Sequence, residues 1–544
     1  MKDINIAYFS AEIGIRSDIK TYSGGLGILA GDTLKAAADL EMPICGITLL
    51  YKHGFLKQKI VEDTQQEEDD DWDFMNILEY TGKESTVNIS GEDVFIKIWK
   101  LEIEGISGHK IPIFFLDTDI DKNPSWAQPI TNKLYQGDRL AQEMVLGIGG
   151  IRALKELGIY NKIKKFHMNE GHSCLLTLQL YKDLGEKFGW DDENVRKVCS
   201  FTTHTPIPAG HDKFDYSHLY EKFKGEQELL PWHLKKLAGE KRFNTTNLAI
   251  NLSSYVNAVS KKHKEVTKEM FPFHTIDHIT NGIHGNSWTN DKIKKLYDKY
   301  IPDWQKDNTK LIEANNIPNE ELWNAHSKCK EELIKFVNSN NVNKIKLDKN
   351  RLTIGFARRF IEYKDAELIF ENLDTLKEIG EKVQFIFAGK SHSNDGIGKN
   401  IMRRIIKYSK ELQSDIKIAF IEDYNIEVTK KMVSGCNLWL NTPIPPNEAS
   451  GTSGMKASIN GCLHFSRLDG WAIEAYERNA GGFPIIEYKD LITNLKYKII
   501  PMYYSEDKTA WVEEMKLSIV NGGSFFNTHR MVREYYDKSY MLKN

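Results

Sequence analysis

Short apolar runs alternate with helical patterns through the second half of the chain. Buried strands are predicted at residues 352–356, 383–388, 415–421, 437–440 and 463–466. Between them, apolar side chains recur at helical spacing over residues 363–381, 399–412 and 426–433. Strands of about four to eight residues that alternate with helices predict right-handed β-α-β units and a parallel sheet. Ligands bind such sheets beyond the carboxyl ends of the strands.

The first half begins with the same pattern. A strand over residues 4–10 leads through a glycine turn at 22–27 into an alanine-rich helix over 28–40. Further elements are predicted as strands at residues 48–52, 114–116 and 198–201 and as a helix over 139–157. The pattern therefore predicts a second α/β region in this half of the chain.

A turn at Thr280-Asn281-Gly282-Ile283 predicts a domain junction. We expect an α/β domain over residues 1–281, a second over 282–507, and a helical segment over 508–544 that packs back on the first domain. A chain of 544 residues is too long for a single core, which agrees with two large domains. The expected fold class is α/β, with two Rossmann-like domains that face each other across a cleft.

Composition narrows the class of protein. The formal charge of −3 argues against a nucleic-acid partner or an anionic membrane, so a bound phosphate would need a local basic site. The six cysteines lack Cys-x-x-Cys spacing, which favours reduced thiols. The sequence shows no signal-peptide pattern and no apolar run of about 18 residues. We therefore expect a cytoplasmic protein.

The segment from Glu448 to Lys456 carries the strongest chemical signal. It combines one acid, several hydroxyls, two glycines and a lysine between a predicted strand and a predicted helix. Glycines let backbone amides approach an anion, and a partly desolvated lysine can form a Schiff base with an aldehyde such as pyridoxal. Taken alone, the loop could equally be a solvated Gly/Ser linker with a surface lysine.

Three cations follow the strand predicted at residues 352–356. Arg358, Arg359 and Lys364 would lie at the edge of the sheet where phosphates bind in such folds. The alternative is a solvated basic helix start.

The histidine pairs do not have the spacing of a metal site. His167 and His172 are five residues apart, and His204 and His211 are seven apart, whereas helical zinc motifs use i, i+4. No metal is predicted. His204 follows the strand predicted at 198–201 and would contact either the backbone or a ligand.

Ordered motifs along the chain resemble those of the α-glucan phosphorylases, the family of glycogen, starch and maltodextrin phosphorylases. They are Ser23-Gly24-Gly25-Leu26-Gly27, Gly54-Phe55-Leu56-Lys57-Gln58-Lys59-Ile60, Asn169-Glu170-Gly171-His172, His204-Thr205, Thr280-Asn281-Gly282-Ile283, Arg359 to Lys364, Phe387-Ala388-Gly389-Lys390, Glu448 to Lys456, Asn460-Gly461 and Leu468-Asp469-Gly470. The resemblance implies the GT-B type of glycosyltransferase fold. It also implies retaining phosphorolysis of α-1,4-glucan or maltodextrin from the non-reducing end, with inorganic phosphate, to glucose 1-phosphate.

The resemblance further implies pyridoxal 5'-phosphate as the cofactor. Lys456 would bind it as a Schiff base, and the coenzyme's phosphate would exchange a proton with the substrate phosphate. A phosphate has a second pKa near 6, which suits such an exchange near neutrality. The residues implied for the cofactor are Lys456, Arg358, Thr452, Ser453 and Gly454 around its Schiff base and phosphate, with Trp288 and Tyr424 beside its ring.

For the substrates, the resemblance implies that Arg359, Lys364 and the glycine loop bind inorganic phosphate. The catalytic set would then be Lys456, Arg359, Lys364 and His204. The substrate-binding set would be Gly24 and Gly25 for phosphate, with Glu448, Ser450, Gly451, Asn281, His204, Tyr363 and His172 around the glucosyl unit.

The chain also departs from the family pattern. It has Arg358 where relatives carry a lysine and only a short stretch between Ser10 and Gly24, and we expect it to lack the family's N-terminal regulatory segment. Control by AMP or phosphorylation, the usual dimer contacts and the glycogen storage site are therefore not expected, and a homo-oligomer is left open. The alternatives are a nucleotide-sugar glucan synthase of the starch synthase kind, a pyridoxal-dependent aminotransferase and an inactive glucan-binding homologue.

Overall fold

The computed structural model describes residues 4–541, which divide into two compact units. Within the described residues, the first unit contains 4–56, 69–280 and 531–541, and the second contains 57–68 and 281–530. The junction at 280–281 lies where the turn was expected. The division differs from the expectation in that residues 57–68 and 508–530 belong to the second unit.

The first unit is built on a nine-stranded sheet. From edge to edge its strands are Asp277–His278, Tyr255–Ala258, Cys199–Thr202, Lys165–Asn169, Ile6–Ser10, Ile44–Leu49, Lys110–Asp117, Glu92–Glu104 and Glu79–Ile89. The strands are parallel except for Glu92–Glu104 and Glu79–Ile89, which extend the sheet as an antiparallel hairpin. Both faces of the parallel part are covered, since Ala7 and Phe9 lie in one core and Ile6 and Tyr8 in the other.

Helices surround this sheet. Their bounds are Gly25–Asp39, Phe74–Ile77, Arg139–Met144, Gly150–Glu156, Leu176–Phe188, Asp192–Val198, Tyr216–Lys222, Leu234–Ala238, Thr245–Asn251 and Lys261–Met270. The chain returns to this unit within the helix Thr528–Tyr535. Tyr535 and Tyr540 then pack among the core residues of the first unit, and the Tyr540 hydroxyl lies 2.6 Å from Nδ1 of His167.

The second unit contains a six-stranded sheet in which every pair of neighbouring strands is parallel. Its spatial order is Lys417–Ile421, Val383–Ala388, Leu352–Ala357, Leu438–Asn441, Leu463–Arg467 and Phe483–Ile485. This is the doubly wound order in which the third, second and first strands are followed by the fourth, fifth and sixth. The topology reverses between Leu352–Ala357 and Leu438–Asn441, which is where such folds bind ligands.

The helices of the second unit lie between and after these strands. Their bounds are Gly285–Trp288, Asp291–Tyr300, Asn319–Asn340, Leu373–Ile379, Gly396–Glu411, Ile426–Gly435, Thr452–Ser458, Trp471–Glu477, Tyr488–Asn494, Ile500–Tyr504 and Thr509–Leu517. None of the helices within residues 4–541 has the length and apolarity needed to cross a membrane.

A hairpin of two strands, Lys57–Val61 and Thr64–Glu68, joins the second unit through side-chain hydrogen bonds. The Gln58 amide donates to the Gly389 carbonyl at 2.9 Å, and its oxygen accepts from the Asp423 amide at 2.8 Å. Gln65 exchanges two bonds of 2.9 Å with the backbone of Ser391. These long-range bonds explain why the hairpin belongs to the second unit, although the residues before and after it in the sequence belong to the first.

The mixed α/β fold with large parallel sheets is confirmed. Many of the predicted bounds differ by a few residues from those observed, and two of the elements need correction. The strand expected at residues 48–52 runs instead over Ile44–Leu49, and the helix expected over 363–381 is α-helical only at Leu373–Ile379. Asp365 has a left-handed backbone, with φ of 47°, so an α-helix cannot continue from Lys364.

Candidate active site

Arg358 directly follows the strand Leu352–Ala357 at the reversal point of the second sheet. Its NH2 lies 2.5 Å from Oε2 of Glu448, and Nζ of Lys364 contacts the same oxygen. The three side chains are about one-tenth exposed. Burial on its own would raise the pKa of Glu448, but the charges of Lys364 and Arg358 lower it to about 2. The Glu448 carboxylate is therefore ionised and bridges two buried cations.

The loop that carries Glu448 is fixed by Asp469. One carboxylate oxygen of Asp469 accepts from the Glu448 amide at 2.8 Å and the other from the Gly470 amide at 2.9 Å. Gly470 has φ of 55°, and a Cβ there would lie 2.5 Å from the Ser450 carbonyl oxygen. Burial raises the pKa of Asp469 to about 6. The backbone around Glu448 is thus held in one conformation, which leaves its side chain as the adjustable part.

Several buried polar atoms here have no hydrogen-bond partner among the described residues. They include Nε and NH1 of Arg358, the Ser450 hydroxyl and Oδ1 of Asn281. Because nearly all buried polar groups in proteins are paired, such atoms indicate where a polar ligand would bind. The two guanidinium nitrogens in particular suit an anion.

Lys456 lies on the short helix Thr452–Ser458, which begins after Gly451 with φ of 86°. Its side chain is buried, and its Nζ lies 4.0 Å from the centroid of the Trp288 ring. The Asn460 amide donates to the carbonyls of Trp288 and Lys456, at 2.9 and 2.8 Å, and so holds the two residues together. The structure therefore places the lysine amine against an aromatic wall.

Other predicted cofactor residues surround this helix. The Ser453 hydroxyl accepts from Nε1 of Trp439 at 3.1 Å, and Thr452 is half-buried. A Cβ on Gly454 would lie 2.4 Å from the Trp471 ring, so only glycine fits there. Tyr424 is half-buried against the apolar cluster that contains Ala457, and burial raises its pKa to about 12.

Three further predicted residues of the second unit are Arg359, Tyr363 and Asn281. Arg359 is exposed, unlike its neighbour Arg358. The Tyr363 ring lies 4.4 Å from Nζ of Lys364, measured to the ring centroid. Asn281 is buried, and its carbonyl accepts from Arg530 at 3.2 Å.

In the first unit, the predicted glycine loop is organised by Glu12. This buried carboxylate accepts from the amides of Ser23 and Gly24, at 2.6 and 3.3 Å, and from the Tyr135 hydroxyl at 2.6 Å. The helix Gly25–Asp39 begins at the next residue. A Cβ added at Gly24 or Gly25 would meet no atom within 4 Å. The loop is therefore held from one side by Glu12 and open on the other.

His204 follows the strand Cys199–Thr202. Its Nε2 lies 2.6 Å from Oδ1 of Asn169, and its backbone amide donates to Glu170 at 2.7 Å. Glu170 has φ of 74° and also accepts from the Gly171 amide at 2.8 Å. Burial, with a smaller effect of neighbouring histidines, lowers the pKa of His204 to about 3. Its imidazole is neutral near pH 7 and can bond a hydroxyl group.

His172 belongs to a charged cluster in the same unit. Its Nε2 lies 3.5 Å from Oδ2 of Asp212, which also accepts from Arg139 at 2.9 Å. Burial opposes the ionisation of Asp212, but the charges of His172 and Arg139 bring its pKa down to about 2. The Tyr135 ring lies beside both His172 and Arg139.

Sequence reasoning missed Glu12, Tyr135 and Asp212 as site residues. Glu12 lies 11 residues before Ser23, whereas Tyr135 is 123 residues from Glu12 and Asp212 is 73 residues from Arg139. The sequence carries no local signal that joins them. The fold brings them together through Tyr135, which bonds Glu12 and lies beside His172 and Arg139, the two partners of Asp212.

Clustered cations and a buried lysine at the reversal point of a doubly wound sheet are typical of proteins that bind phosphate groups. Comparison with known proteins gives the family. The family model described as carbohydrate phosphorylase matches residues 14–100 and 211–482. The chain belongs to this family and is a phosphorylase enzyme of the glycosyltransferase class.

Several relatives are similar over nearly the whole chain. Maltodextrin phosphorylase of Thermococcus litoralis is 38% identical over 98% of this chain and 70% of its own length. Glycogen phosphorylase of Aquifex aeolicus is 35% identical over 98% of this chain and 86% of its own. An uncharacterised protein of Methanocaldococcus jannaschii is 32% identical over 98% of this chain and 99% of its own.

Proposed function

We propose that this enzyme catalyses the retaining phosphorolysis of an α-1,4-glucan from its non-reducing end to glucose 1-phosphate. The observation that carries the proposal is the juxtaposition, at one reversal point of the second sheet, of the Arg358–Lys364 cation pair and the loop and helix from Glu448 to Lys456. The names of the maltodextrin and glycogen phosphorylase relatives support the choice of substrate. The GT-B type of fold is part of the same proposal.

The residues around Lys456 fit pyridoxal 5'-phosphate. A buried amine beside an aromatic ring suits the aldehyde and ring of this cofactor, and unpartnered guanidinium nitrogens suit its phosphate. Lys456 would hold the aldehyde, with Trp288 and Tyr424 beside the ring. Arg358, Thr452, Ser453 and Gly454 would hold the phosphate. When bound, the cofactor supplies a phosphate that can exchange a proton near neutrality.

In the second unit, Arg359 and Lys364 would bind inorganic phosphate. In the first unit, the glycine loop at Gly24 and Gly25 offers backbone amides that suit an anion. An exposed arginine can reach an anion without first losing an internal partner, and a buried lysine offers a desolvated, strong charge. Two phosphates can lie close together only when such cations offset their repulsion.

The glucosyl unit would contact groups that donate and accept hydrogen bonds. The unpartnered hydroxyl of Ser450 and the neutral imidazole of His204 both suit sugar hydroxyls. A neutral histidine adds no positive charge that would compete for phosphate. The remaining proposed contacts are Glu448, Gly451, Asn281, Tyr363 and His172.

The test of the cofactor is a covalent map. Purified protein is reduced with borohydride, digested and searched for a pyridoxyl group, which we expect on the peptide that contains Lys456. Lys330 is the internal comparison for this labelling. Burial lowers its pKa to about 7, so its amine could also form a Schiff base. Its Nζ, however, already bonds the Arg351 carbonyl and the Tyr503 hydroxyl, at 2.5 and 2.7 Å.

The test of the reaction is the release of glucose 1-phosphate from maltodextrin and inorganic phosphate. A label on Lys330, or protein without a pyridoxal chromophore, would contradict the assignment of Lys456. Glucan synthesis that needs a nucleotide sugar, with no phosphorolysis, would contradict the proposed reaction and favour the synthase alternative.

A further inference from the structure

One carboxylate, that of Glu448, pairs with both Arg358 of the proposed cofactor site and Lys364 of the proposed inorganic-phosphate site. Oε2 of Glu448 lies 2.5 Å from NH2 of Arg358 and contacts Nζ of Lys364. Each side chain is no more than 10% exposed, so solvent screens these charges little. The pairing with Glu448 therefore affects how strongly Arg358 and Lys364 bind any other anion.

A phosphate and the Glu448 carboxylate compete for the same donors. The ammonium of Lys364 has three hydrogens, and each bond to a carboxylate weakens its attraction for a second anion beside it. Two anions held close together in a buried site also repel each other. Under the proposed function, Glu448 thus opposes the binding of inorganic phosphate at Lys364.

A hydroxyl group close to Glu448 in the sequence is suited to bind the sugar. The Ser450 hydroxyl, two residues further on, is buried and has no hydrogen-bond partner among the described residues. The backbone between them is fixed, because Asp469 accepts from the Glu448 amide and the Trp471 amide donates to the Ser450 carbonyl at 2.8 Å. Because this backbone is fixed, Glu448 would approach a glucosyl hydroxyl at Ser450 by a rotation of its side chain.

We propose that Glu448 couples the two substrates, because a glucosyl hydroxyl that bonds Glu448 draws the carboxylate from Lys364 and so strengthens anion binding there. This inference rests on the proposed function. Coupling is reciprocal, so the anion would strengthen sugar binding by the same factor. A factor of about ten is typical of such coupling.

The experiment measures the dissociation constant of inorganic sulfate for the holoenzyme by calorimetry, with and without maltoheptaose, at fixed ionic strength. Sulfate is a tetrahedral dianion that cannot support phosphorolysis, so no turnover interferes. We expect maltoheptaose to lower the sulfate dissociation constant about tenfold in the unchanged protein. In Glu448→Gln, sulfate should bind about tenfold more tightly without sugar, and maltoheptaose should no longer change it.

Asp365→Asn is the matched control. It removes one negative charge at the residue next to Lys364, and asparagine tolerates the left-handed backbone found there. Asp365 pairs with Arg467 at 3.1 Å. If the loss of any nearby negative charge tightened sulfate binding, this variant would show the same effect. We expect the coupling between maltoheptaose and sulfate to remain in it.

Glu448→Asp is the second variant, since it keeps the charge but shortens the side chain. It should also bind sulfate more tightly without sugar and show weaker coupling. Coupling that persists unchanged in Glu448→Gln, or that is absent from the unchanged protein, would overturn the inference. A failure of the proposed function is recognised separately, by the absence of a pyridoxyl group on Lys456 and of glucose 1-phosphate release.

Discussion

Nζ of Lys456 lies 4.0 Å from the centroid of the Trp288 ring, in a buried position. An aromatic face attracts a cation, and it can equally stack beside a flat heteroaromatic ring. Asn460 bonds the carbonyls of both residues and so keeps this geometry. The Lys456 amine therefore has a defined position beside Trp288, and substitution of Lys456 tests its chemical role.

Lys456→Ala should fold but lose the cofactor. The substitution removes the only amine on the helix Thr452–Ser458 and leaves its backbone unchanged. We expect purified protein without pyridoxal absorbance and without phosphorolysis, and with an unchanged circular dichroism spectrum. Lys407→Ala, on the exposed side of the helix Gly396–Glu411, is the control and should keep both properties. Full cofactor occupancy in Lys456→Ala would contradict the assignment.

Arg359→Ala should impair phosphate more than glucan. A lost charge-assisted hydrogen bond costs about 1.5–3 kcal/mol, which corresponds to roughly ten- to a hundredfold in the KM for phosphate. The KM for maltodextrin should change much less. Arg403→Ala removes an exposed arginine from another surface and should leave both constants unchanged. An effect confined to the KM for maltodextrin would place Arg359 outside the phosphate site.

Gly31→Ala should destabilise the first unit. The glycine packs on the loop after the first strand, and an added Cβ would lie only 1.8 Å from the Gly14 carbonyl oxygen. Overpacking against backbone costs about 3 kcal/mol, and we expect the melting temperature to fall by roughly 5 °C. Gly24→Ala is the matched control, because its Cβ would meet nothing within 4 Å. Equal melting temperatures for the two variants would contradict this close packing.

The sequence predicted much of the second sheet because its strands are apolar along their whole length. The strand Val383–Ala388 was predicted with the same bounds. Phe483–Ile485 was missed, since a strand of three residues carries too little pattern. The hairpin of Glu79–Ile89 and Glu92–Glu104 was also missed, because polar residues cover much of its exposed face.

The sequence could predict the local motifs of the candidate site but not the contacts between distant residues. The loop and lysine from Glu448 to Lys456 form a local motif, so the sequence alone could indicate them. The double pairing of Glu448 with Arg358 and Lys364 could not be predicted, because it depends on side chains 90 and 84 residues away. The neutral state of His204 likewise follows from its burial in the folded chain.

The last prediction concerns protons taken up on unfolding. Burial lowers the pKa of His167 and of His204 to about 3, and that of His211 and His263 to about 4. An unfolded histidine has a pKa of about 6.5. Between pH 6.5 and these lower values, the unfolded chain binds more protons than the folded one. Stability should therefore fall as the pH is lowered below about 6.5, by up to about 1.4 kcal/mol per pH unit for each histidine.

His204→Asn isolates one of these groups. Potentiometric titration of the protein unfolded in urea at pH 5 should show about one proton less taken up than for the unchanged protein, because asparagine does not titrate. At pH 8 the two proteins should take up the same number, since histidine is neutral in both states there. Equal proton uptake at pH 5 would show that His204 is already protonated in the folded enzyme. A positively charged His204 could then attract phosphate, and its proposed role as a neutral partner of a sugar hydroxyl would fail.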